Sequence, residues 1–385
     1  MILDFSVGGF LSFKPKQTVY FTPYKGARIG GTKYEENFHT NIDRRPMKSL
    51  LLFGDNASGK TNWFYALLRM KDIIKNGLGD IDLDLFNKHS DEMCFGLSLI
   101  DDSDNIFEYD VSLNKEGHIC SEILVKNNIT IFEFKENNLN IYEESKNSEE
   151  IKILEKLFSK PSSNTLLLKL KDVLETSIDS FFTSVDNIKI DGESLLNREM
   201  KWVPVESFTE KTKNEMERLK DDVLSILQSL DSTIIDFKFI EKIIDDKDGH
   251  GFDMILIREN GDQFDLNSES LGIKKITNLL PKMLQIYKGQ SIFIDELDSS
   301  IGTKALIKLF NSFINSRNNS SGQIIVSTHN LSLLDLDMFH DSQIYFVNKN
   351  SNLSTIIHSL SEFDLRSEKK GIDELYMKGS FEVDE

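Results

Sequence analysis

Residues 54–61, which read GDNASGKT, restrict the fold of this chain more than any other segment. They match the pattern G-x-x-x-x-G-K-[S/T] and follow the apolar run KSLLLF at residues 48–53, which is typical of a strand buried on both faces. From Trp63 to Ile74 the apolar side chains then recur with helical spacing. Strand, glycine turn and helix in direct succession predict a loop whose backbone N–H groups surround an anion at the positive end of the helix. We therefore expect an α/β fold built around a phosphate-binding loop.

The last two residues of this motif carry its chemistry. We expect the ammonium of Lys60 to hold the β- and γ-phosphates of a nucleotide, and the hydroxyl of Thr61 to hold Mg²⁺. The alternative is a glycine turn that binds nothing. The position between a buried strand and a helix disfavours that alternative, because a phosphate-binding loop needs this context.

A second segment, SIFIDELD at residues 291–298, is an apolar strand that ends in three carboxylates. At the tip of such a strand, Asp295 is placed to hold Mg²⁺ and Glu296 to orient or deprotonate water. The alternative is a solvated acidic turn, which is disfavoured because the same chain carries the phosphate-loop motif. Asp295 lies 235 residues after Lys60, so a large segment is inserted between the two motifs, unlike in compact GTPase and AAA+ folds.

Two further segments flank the acidic strand. Upstream, residues 268–275 (SESLGIKK) form a small-polar and glycine turn that opens a helix, and a helix N-terminus is an anion site. Downstream, residues 324–330 (IIVSTHN) end a strand in a polar run that contains His329. Taken alone, His329 is as often a polar residue at a strand end as a catalytic one.

Together these segments resemble the ABC-type ATPases of the SMC and RecF-like branch. More closely, they resemble the small ATPases associated with bacterial abortive infection, relatives of the OLD family. The resemblance covers both ends of the chain, and residues from about 140 to 230 match by position only. Its segments are LDFSVGGFLSF, GDNASGKTN (Walker A), ESLGIKK (a signature-like turn), FIDELDSSI (Walker B and D-loop), STHNLSLLD (the switch-histidine segment) and the tail from QIYFVNKN to LYMKGSF.

The resemblance implies a role for each matching residue within one subunit. It makes Lys60 and Thr61 the phosphate and Mg²⁺ contacts, Asp295 the acid on the Mg²⁺ side, and Glu296 the catalytic base, while His329 senses the γ-phosphate. The implied ATP contacts in and after the loop are Gly54, Asn56, Ala57, Ser58, Gly59, Lys60, Thr61 and Asn62.

The resemblance also implies contacts between subunits. Ser270 and Gly272 would reach the nucleotide of the opposite subunit, and Asp298 would lie in the interface of a homodimer or a higher even oligomer. Three features depart from the family pattern. ESLGIKK lacks the full LSGGQ signature, no glutamine is placed as a Q-loop residue, and the C-terminal GSFEVDE lacks an apolar ending, so no site is assigned there.

The predicted fold class is α/β, with an ABC-ATPase-like P-loop head that has a mixed N-terminal sheet, a mainly parallel core sheet and a helical insertion. Residues 1–144 are expected to form the N-terminal part of the head, 145–230 the insertion and 231–385 the C-terminal part. Leu219, Val223, Ile226 and Leu230 have the spacing of a short coiled-coil arm, although an ordinary packed helix carries more weight.

Composition bounds the function. The net charge of −18 argues against a wholly basic nucleic-acid-binding surface, although a local basic groove is compatible with it. No stretch approaches the roughly 18 consecutive apolar residues of a membrane span, so no membrane partner is expected. The two cysteines, Cys94 and Cys120, lack the spacing of a disulfide framework or a zinc site, which favours a cytoplasmic setting.

The functional hypothesis is an ATP-controlled dimeric switch. It would be the regulator of an anti-phage system that acts on a separately encoded toxic effector such as a nuclease, because only 56 residues follow His329, too few for the nuclease domain of the OLD family. The alternatives are a DNA repair or recombination ATPase of RecF or SMC type, and a nucleotide-dependent scaffold with negligible turnover.

Overall fold

A computed structural model describes residues 1–78, 83–136, 138–142, 148–158, 165–171, 174–191, 207–244, 249–298, 301–364 and 371–382. The strands are β1 (Ile2–Gly8), β2 (Gln17–Tyr20), β3 (Ser49–Phe53), β4 (Glu92–Ile100), β5 (Ile106–Asn114), β6 (Ile119–Lys126), β7 (Ile129–Lys135), β8 (Asn138–Ile141), β9 (Ile188–Asp191), β10 (Ile234–Ile244), β11 (Gly249–Arg258), β12 (Gln263–Asp265), β13 (Ser291–Ile294), β14 (Gln323–Thr328), β15 (Ile344–Lys349) and β16 (Thr355–Ser359). The α-helices are α1 (Lys60–Asn76), α2 (Ser148–Phe158), α3 (Leu166–Leu170), α4 (Glu175–Asp186), α5 (Glu210–Arg218), α6 (Lys220–Leu230), α7 (Leu271–Met283), α8 (Thr303–Lys308) and α9 (Ile372–Met377).

Within the described ranges, the strands form three sheets. The N-terminal sheet has the order β2-β1-β4-β5-β6-β7-β8, and all its neighbours pair antiparallel, so the prediction of a mixed sheet was wrong here. Short turns join most of its strands in chain order, and such connections give antiparallel pairs. The core sheet has the order β16-β15-β3-β14-β13-β9 and is parallel except for the β15–β16 pair. The small sheet β10-β11-β12 is antiparallel. Because β3, β14 and β13 are parallel neighbours, their carboxyl ends meet at one edge of the core sheet, where a ligand site is expected.

The core sheet is covered on both faces, which explains its continuous apolar strands. Along β3, Leu50 and Leu52 belong to one apolar cluster and Leu51 and Phe53 to the other, since successive side chains point to opposite faces. The first cluster, which includes Leu50 and Leu52, is formed with side chains of α1, α4 and the N-terminal sheet. The second cluster, which includes Leu51 and Phe53, is formed with side chains of α6, α7 and α8. Trp63 of α1 lies wholly within the first cluster. Helix α1 is therefore held in the apolar layer between the two large sheets.

The range 145–230 contains a strand as well as helices. Strand β9 lies at the edge of the core sheet, parallel to β13, with Asp191 paired with Ile294. Helices α3 and α4 contribute buried side chains to the first cluster. Pairing of β9 with a strand about a hundred residues away sets this element, and local apolar spacing carries no signal for such a contact. The domain boundaries stay a prediction.

The apolar stripe of the last helices packs onto the core. Helices α5 and α6 are separate because the backbone at Leu219 leaves helical geometry, with φ −105° and ψ 33°. Val223 and Ile226 are buried in the second cluster, and Leu230 packs against it. This arrangement is the packed helix that the spacing also allowed. In the ranges that the structure describes, no helix is long and apolar enough to cross a membrane.

Candidate phosphate-binding site

The loop between β3 and α1 is built on two tightly packed glycines. Gly59 has φ +119°, and a Cβ placed on it would lie 2.2 Å from Oγ1 of Thr355. A Cβ on Gly54 would lie 2.3 Å from the carbonyl oxygen of Val347. Both positions need glycine because the loop presses against β15 and β16, and Gly59 needs it also for its left-handed backbone. The two glycines therefore allow the loop to pack closely against these strands.

The ammonium of Lys60 is folded back into this loop. Its Nζ donates to the carbonyl oxygens of Gly54 at 2.6 Å and of Asp55 at 2.9 Å. Burial lowers the pKa of Lys60, and the carboxylates of Asp295 and Glu296 oppose that shift. The side chain thus places a positive charge inside the loop and close to the acids at the end of β13.

Thr61 and Asp295 lie side by side, although 234 residues separate them in the chain. The Thr61 hydroxyl donates to Oδ2 of Asp295 at 2.7 Å, and Oδ1 of Asp295 accepts a hydrogen bond from the Ser327 hydroxyl. The structure thus brings the two predicted Mg²⁺ contacts together, and it adds Ser327 at the end of β14. Ser327 lies within the polar run that pointed to His329, but the sequence pattern did not distinguish it from its neighbours.

Glu296 has an unusual backbone held from two sides. Its φ is +51°, a left-handed value that is uncommon for a residue with a side chain. Its N–H donates to Oγ of Ser327 at 2.7 Å, and its carbonyl oxygen accepts from Nζ of Lys275 at 2.6 Å. The carboxylate itself is exposed. It is therefore free to meet a water molecule or substrate next to Asp295.

His329 and Asp298 form a pair at the same sheet edge. Nδ1 of His329 lies 3.4 Å from Oδ2 of Asp298, and the His329 N–H donates to the same oxygen at 3.3 Å. The Asp298 side chain is 4% exposed and the His329 side chain 61%. The other carboxylate oxygen of Asp298 is buried and has no hydrogen-bond partner among the described residues. The histidine ring is therefore accessible beside a buried aspartate.

The signature-like turn is anchored by its own helix and by β11. Ser270 begins α7, and its hydroxyl accepts from the N–H of Ile273 at 3.4 Å. The preceding Glu269 accepts two hydrogen bonds of 2.8 Å from Arg258 of β11. No hydrogen bond between described residues joins Ser270 or Gly272 to residues 54–62. Their contacts with a nucleotide stay a prediction.

The remaining loop residues are held by the β1–β2 connection and by β16. Nδ2 of Asn62 donates to the Ser12 hydroxyl at 2.8 Å, and Oγ1 of Thr355 donates to the carbonyl oxygen of Ser58 at 2.8 Å. The hydroxyl of Ser58 is buried and, within the described ranges, has no partner. Asn56 and Ala57 are exposed at the loop tip, and Ala57 has a positive φ of 64°. These contacts fix the loop from outside and leave its tip accessible.

These residues fit a magnesium–nucleotide polyphosphate. The glycine backbone, the Lys60 ammonium and the unpartnered Ser58 hydroxyl suit phosphate oxygens, while the Thr61 hydroxyl and the Asp295 carboxylate are the oxygen ligands that Mg²⁺ prefers. Among the described residues, no group of three or more His, Cys, Asp and Glu side chains could hold a metal ion. An ion at this position would complete its shell with phosphate and water oxygens, as Mg²⁺ does at nucleotide sites.

A family model described as "AAA domain, putative AbiEii toxin, Type IV TA system" matches residues 50–335. No curated protein matches the chain. The fold is similar to solved SMC heads. An SMC head bound to the C-winged helix domain of ScpA is 15% identical over 94% of this chain and 98% of its own, with a TM-score of 0.50.

Two other solved SMC heads give lower scores. The head with a coiled coil and joint from Pyrococcus yayanosii is 12% identical over 98% of this chain and 99% of its own, with a TM-score of 0.49. The head domain from Thermotoga maritima is 13% identical over 93% and 98%, with a TM-score of 0.46. The first match supports the fold alone, and the predicted α/β class with an ABC-type, SMC-like P-loop head is confirmed.

Proposed function

The chain belongs to the family described as AAA domain, putative AbiEii toxin, Type IV TA system, and on this premise we propose that it binds and hydrolyses ATP as a nucleotide-controlled switch. The observation that carries the proposal is the 2.7 Å hydrogen bond from Thr61 to Asp295, formed beside the buried ammonium of Lys60. A glycine turn without a ligand has no need of an acid at this point, whereas phosphoryl transfer requires one.

Each residue of the site then has a task. Lys60 would exchange the carbonyl oxygens of Gly54 and Asp55 for phosphate oxygens, and Thr61 and Asp295 would hold Mg²⁺. The metal, when bound, neutralises negative charge on the phosphates. Glu296 orients the attacking water and accepts its proton. His329, which is exposed beside the fixed Asp298, is placed to contact the γ-phosphate.

We further propose that two chains close each site. The resemblance implies that Ser270 and Gly272 contact the nucleotide of another chain, and among the described residues neither makes a hydrogen bond to residues 54–62 of its own chain. The N-terminus of α7 also exposes Leu271, an apolar side chain suited to an interface. The expected assembly is a twofold homodimer, or a higher even oligomer of such pairs, that forms with ATP and opens after hydrolysis.

The biological role that we favour is regulation of an anti-phage abortive-infection system in the cytoplasm, through a separately encoded effector such as a nuclease. The family description names a putative toxin of a Type IV TA system, which supports a role in such a system but does not itself name a separate effector. The second candidate is a DNA repair or recombination ATPase, which the likeness to an SMC head favours. Both roles use the same site and differ in whether a protein or DNA controls it.

Steady-state ATP hydrolysis, measured together with molecular mass, tests the proposal. Lys60→Ala should abolish nucleotide binding. Glu296→Gln should bind ATP, turn it over poorly and accumulate the ATP-closed assembly. Glu116→Gln, in the exposed turn between β5 and β6, is the control and should behave as the parent. Normal turnover by both Lys60→Ala and Glu296→Gln would show that the site is assigned wrongly.

The same assay separates the biological roles. Turnover that DNA does not change supports a switch that awaits a protein partner, and strong stimulation by DNA favours the repair role. ATP-dependent assembly without turnover, unchanged by Glu296→Gln, points to a scaffold. A neighbouring gene for a nuclease-like or toxin-like product would further support the defence role.

A further inference from the structure

Lys275 joins helix α7 to the acidic end of β13. It lies in the second turn of α7, and its Nζ donates to the carbonyl oxygen of Glu296 at 2.6 Å. The neighbouring Lys274 makes no side-chain hydrogen bond or ion pair to the described residues. The contact therefore belongs to Lys275 and is not a general property of the lysines on this helix.

The backbone that Lys275 contacts is one that needs support. A residue with a side chain keeps a positive φ, here +51° at Glu296, only where its surroundings hold it there. The hydroxyl oxygen of Ser327 accepts a hydrogen bond from the N–H of Glu296 at 2.7 Å, and the ammonium of Lys275 donates to the carbonyl oxygen of Glu296. The two contacts fix the peptide groups on either side of the Cα, and so they set the direction in which the carboxylate leaves the chain.

The charges around Lys275 also help to hold the end of β13 in place. Burial lowers the pKa of Lys275, and the opposing influences come from Asp298, Glu296, Asp191 and Asp295, in that order. Four carboxylates at the ends of β9 and β13 would repel one another in the absence of a nearby cation. The ammonium of Lys275 offsets part of this repulsion within the strand end that carries the acids.

We propose that Lys275 is a positioning residue for the reaction: its ammonium holds the left-handed backbone of Glu296, so that the carboxylate faces the water that attacks the γ-phosphate. This inference rests on the proposed function for its catalytic consequence. The contact itself does not depend on nucleotide. Lys275 acts through Glu296 and is not expected to touch ATP.

Two variants and a control test the kinetic consequence. Lys275→Met keeps the length of the side chain and removes the donor, Lys275→Arg keeps a donor, and Lys274→Met is the matched control. A misplaced catalytic group costs up to about a hundredfold, so Lys275→Met should lower kcat for ATP hydrolysis between about tenfold and a hundredfold. KM should stay within about twofold. Lys275→Arg should recover part of kcat, because a guanidinium can also donate to a carbonyl oxygen.

Backbone amide hydrogen exchange of the nucleotide-free protein tests the contact independently of activity. Exchange at Glu296 and Leu297 should be faster in Lys275→Met than in the parent and unchanged in Lys274→Met. The proposal is overturned by unchanged exchange in Lys275→Met, by a kcat within twofold of the parent, or by an equal loss in Lys274→Met. A parent without turnover would refute the proposed function, and the exchange result would still decide the role of Lys275 at Glu296.

Discussion

Replacing Gln323 by leucine should lower the free energy of unfolding, because it removes hydrogen bonds that join the two large sheets. Gln323 begins β14 and is fully buried. Its Nε2 donates to the carbonyl oxygens of Ile2 and Met47, each at 3.1 Å, and its Oε1 accepts from the N–H of Ile2 at 2.7 Å and from the Ser291 hydroxyl at 2.9 Å. One side chain thus ties β1 of the N-terminal sheet to the strands of the core sheet.

The structure sets the size of the effect. Leucine has a similar volume but forms none of the four hydrogen bonds, and the Ser291 hydroxyl alone can rotate to another partner. Three backbone groups, on Ile2 and Met47, lose this partner inside the protein. At about 1–3 kcal/mol for each buried group left unpaired, and with part of the loss recovered by relaxation, the free energy of unfolding should fall by about 3–6 kcal/mol. That is a large share of the 5–15 kcal/mol of a typical domain.

Urea-induced unfolding followed by far-UV circular dichroism measures this change. Gln263→Leu, on the exposed strand β12, is the matched control and should change the free energy of unfolding by no more than about 0.5 kcal/mol. A loss below about 1 kcal/mol for Gln323→Leu would refute the reasoning. It would mean that the apolar surface of leucine compensates for the lost hydrogen bonds.

Three other predictions concern the site and the N-terminal sheet. Burial raises the pKa of Glu122 from 4.5 to about 7. This group therefore stabilises the fold fully below pH 4.5 and loses that contribution, about 3 kcal/mol, as pH rises through 7. In urea unfolding at pH 5 and pH 8, Glu122→Gln should reduce the change in the free energy of unfolding between the two pH values. Gly59→Ala should weaken binding of a fluorescent ATP analogue at least about tenfold, since its Cβ would meet Thr355, whereas Gly261→Ala, with a similar positive φ and open space, should not. Thr61→Val should raise the Mg²⁺ concentration for half-maximal ATP hydrolysis at least about tenfold, and Thr61→Ser should not.

The sequence was sufficient for the elements that depend on local pattern. The apolar run at residues 48–53 and the glycine turn after it predict β3, the loop and α1, because each follows from side-chain spacing and backbone preference over a few residues. Asp295 and His329 were predicted at the ends of apolar runs. Strands that are buried on both faces must end where polar side chains can reach solvent or ligand, so this placement is also a local property.

The structure was needed for everything that depends on which strands are neighbours. Parallel pairing of β3, β14 and β13 puts Thr61, Asp295 and Ser327 within hydrogen-bond distance, and it makes Ser327 the support of both Asp295 and Glu296. Lys275 reaches Glu296 because the fold brings the start of α7 to the end of β13. Such contacts join segments far apart in the chain, and no local pattern encodes their register.

The sequence by itself therefore determined that this chain would carry a phosphate-binding loop, an acidic strand end and an α/β core. Those follow from the periodicity of apolar side chains and from the backbone freedom of glycine. The tertiary structure decided that Ser327 supports the acid that Thr61 contacts and that β9 joins the core sheet. Those are matters of packing between distant segments, where the free energy of the whole fold selects one arrangement from many with the same local preferences.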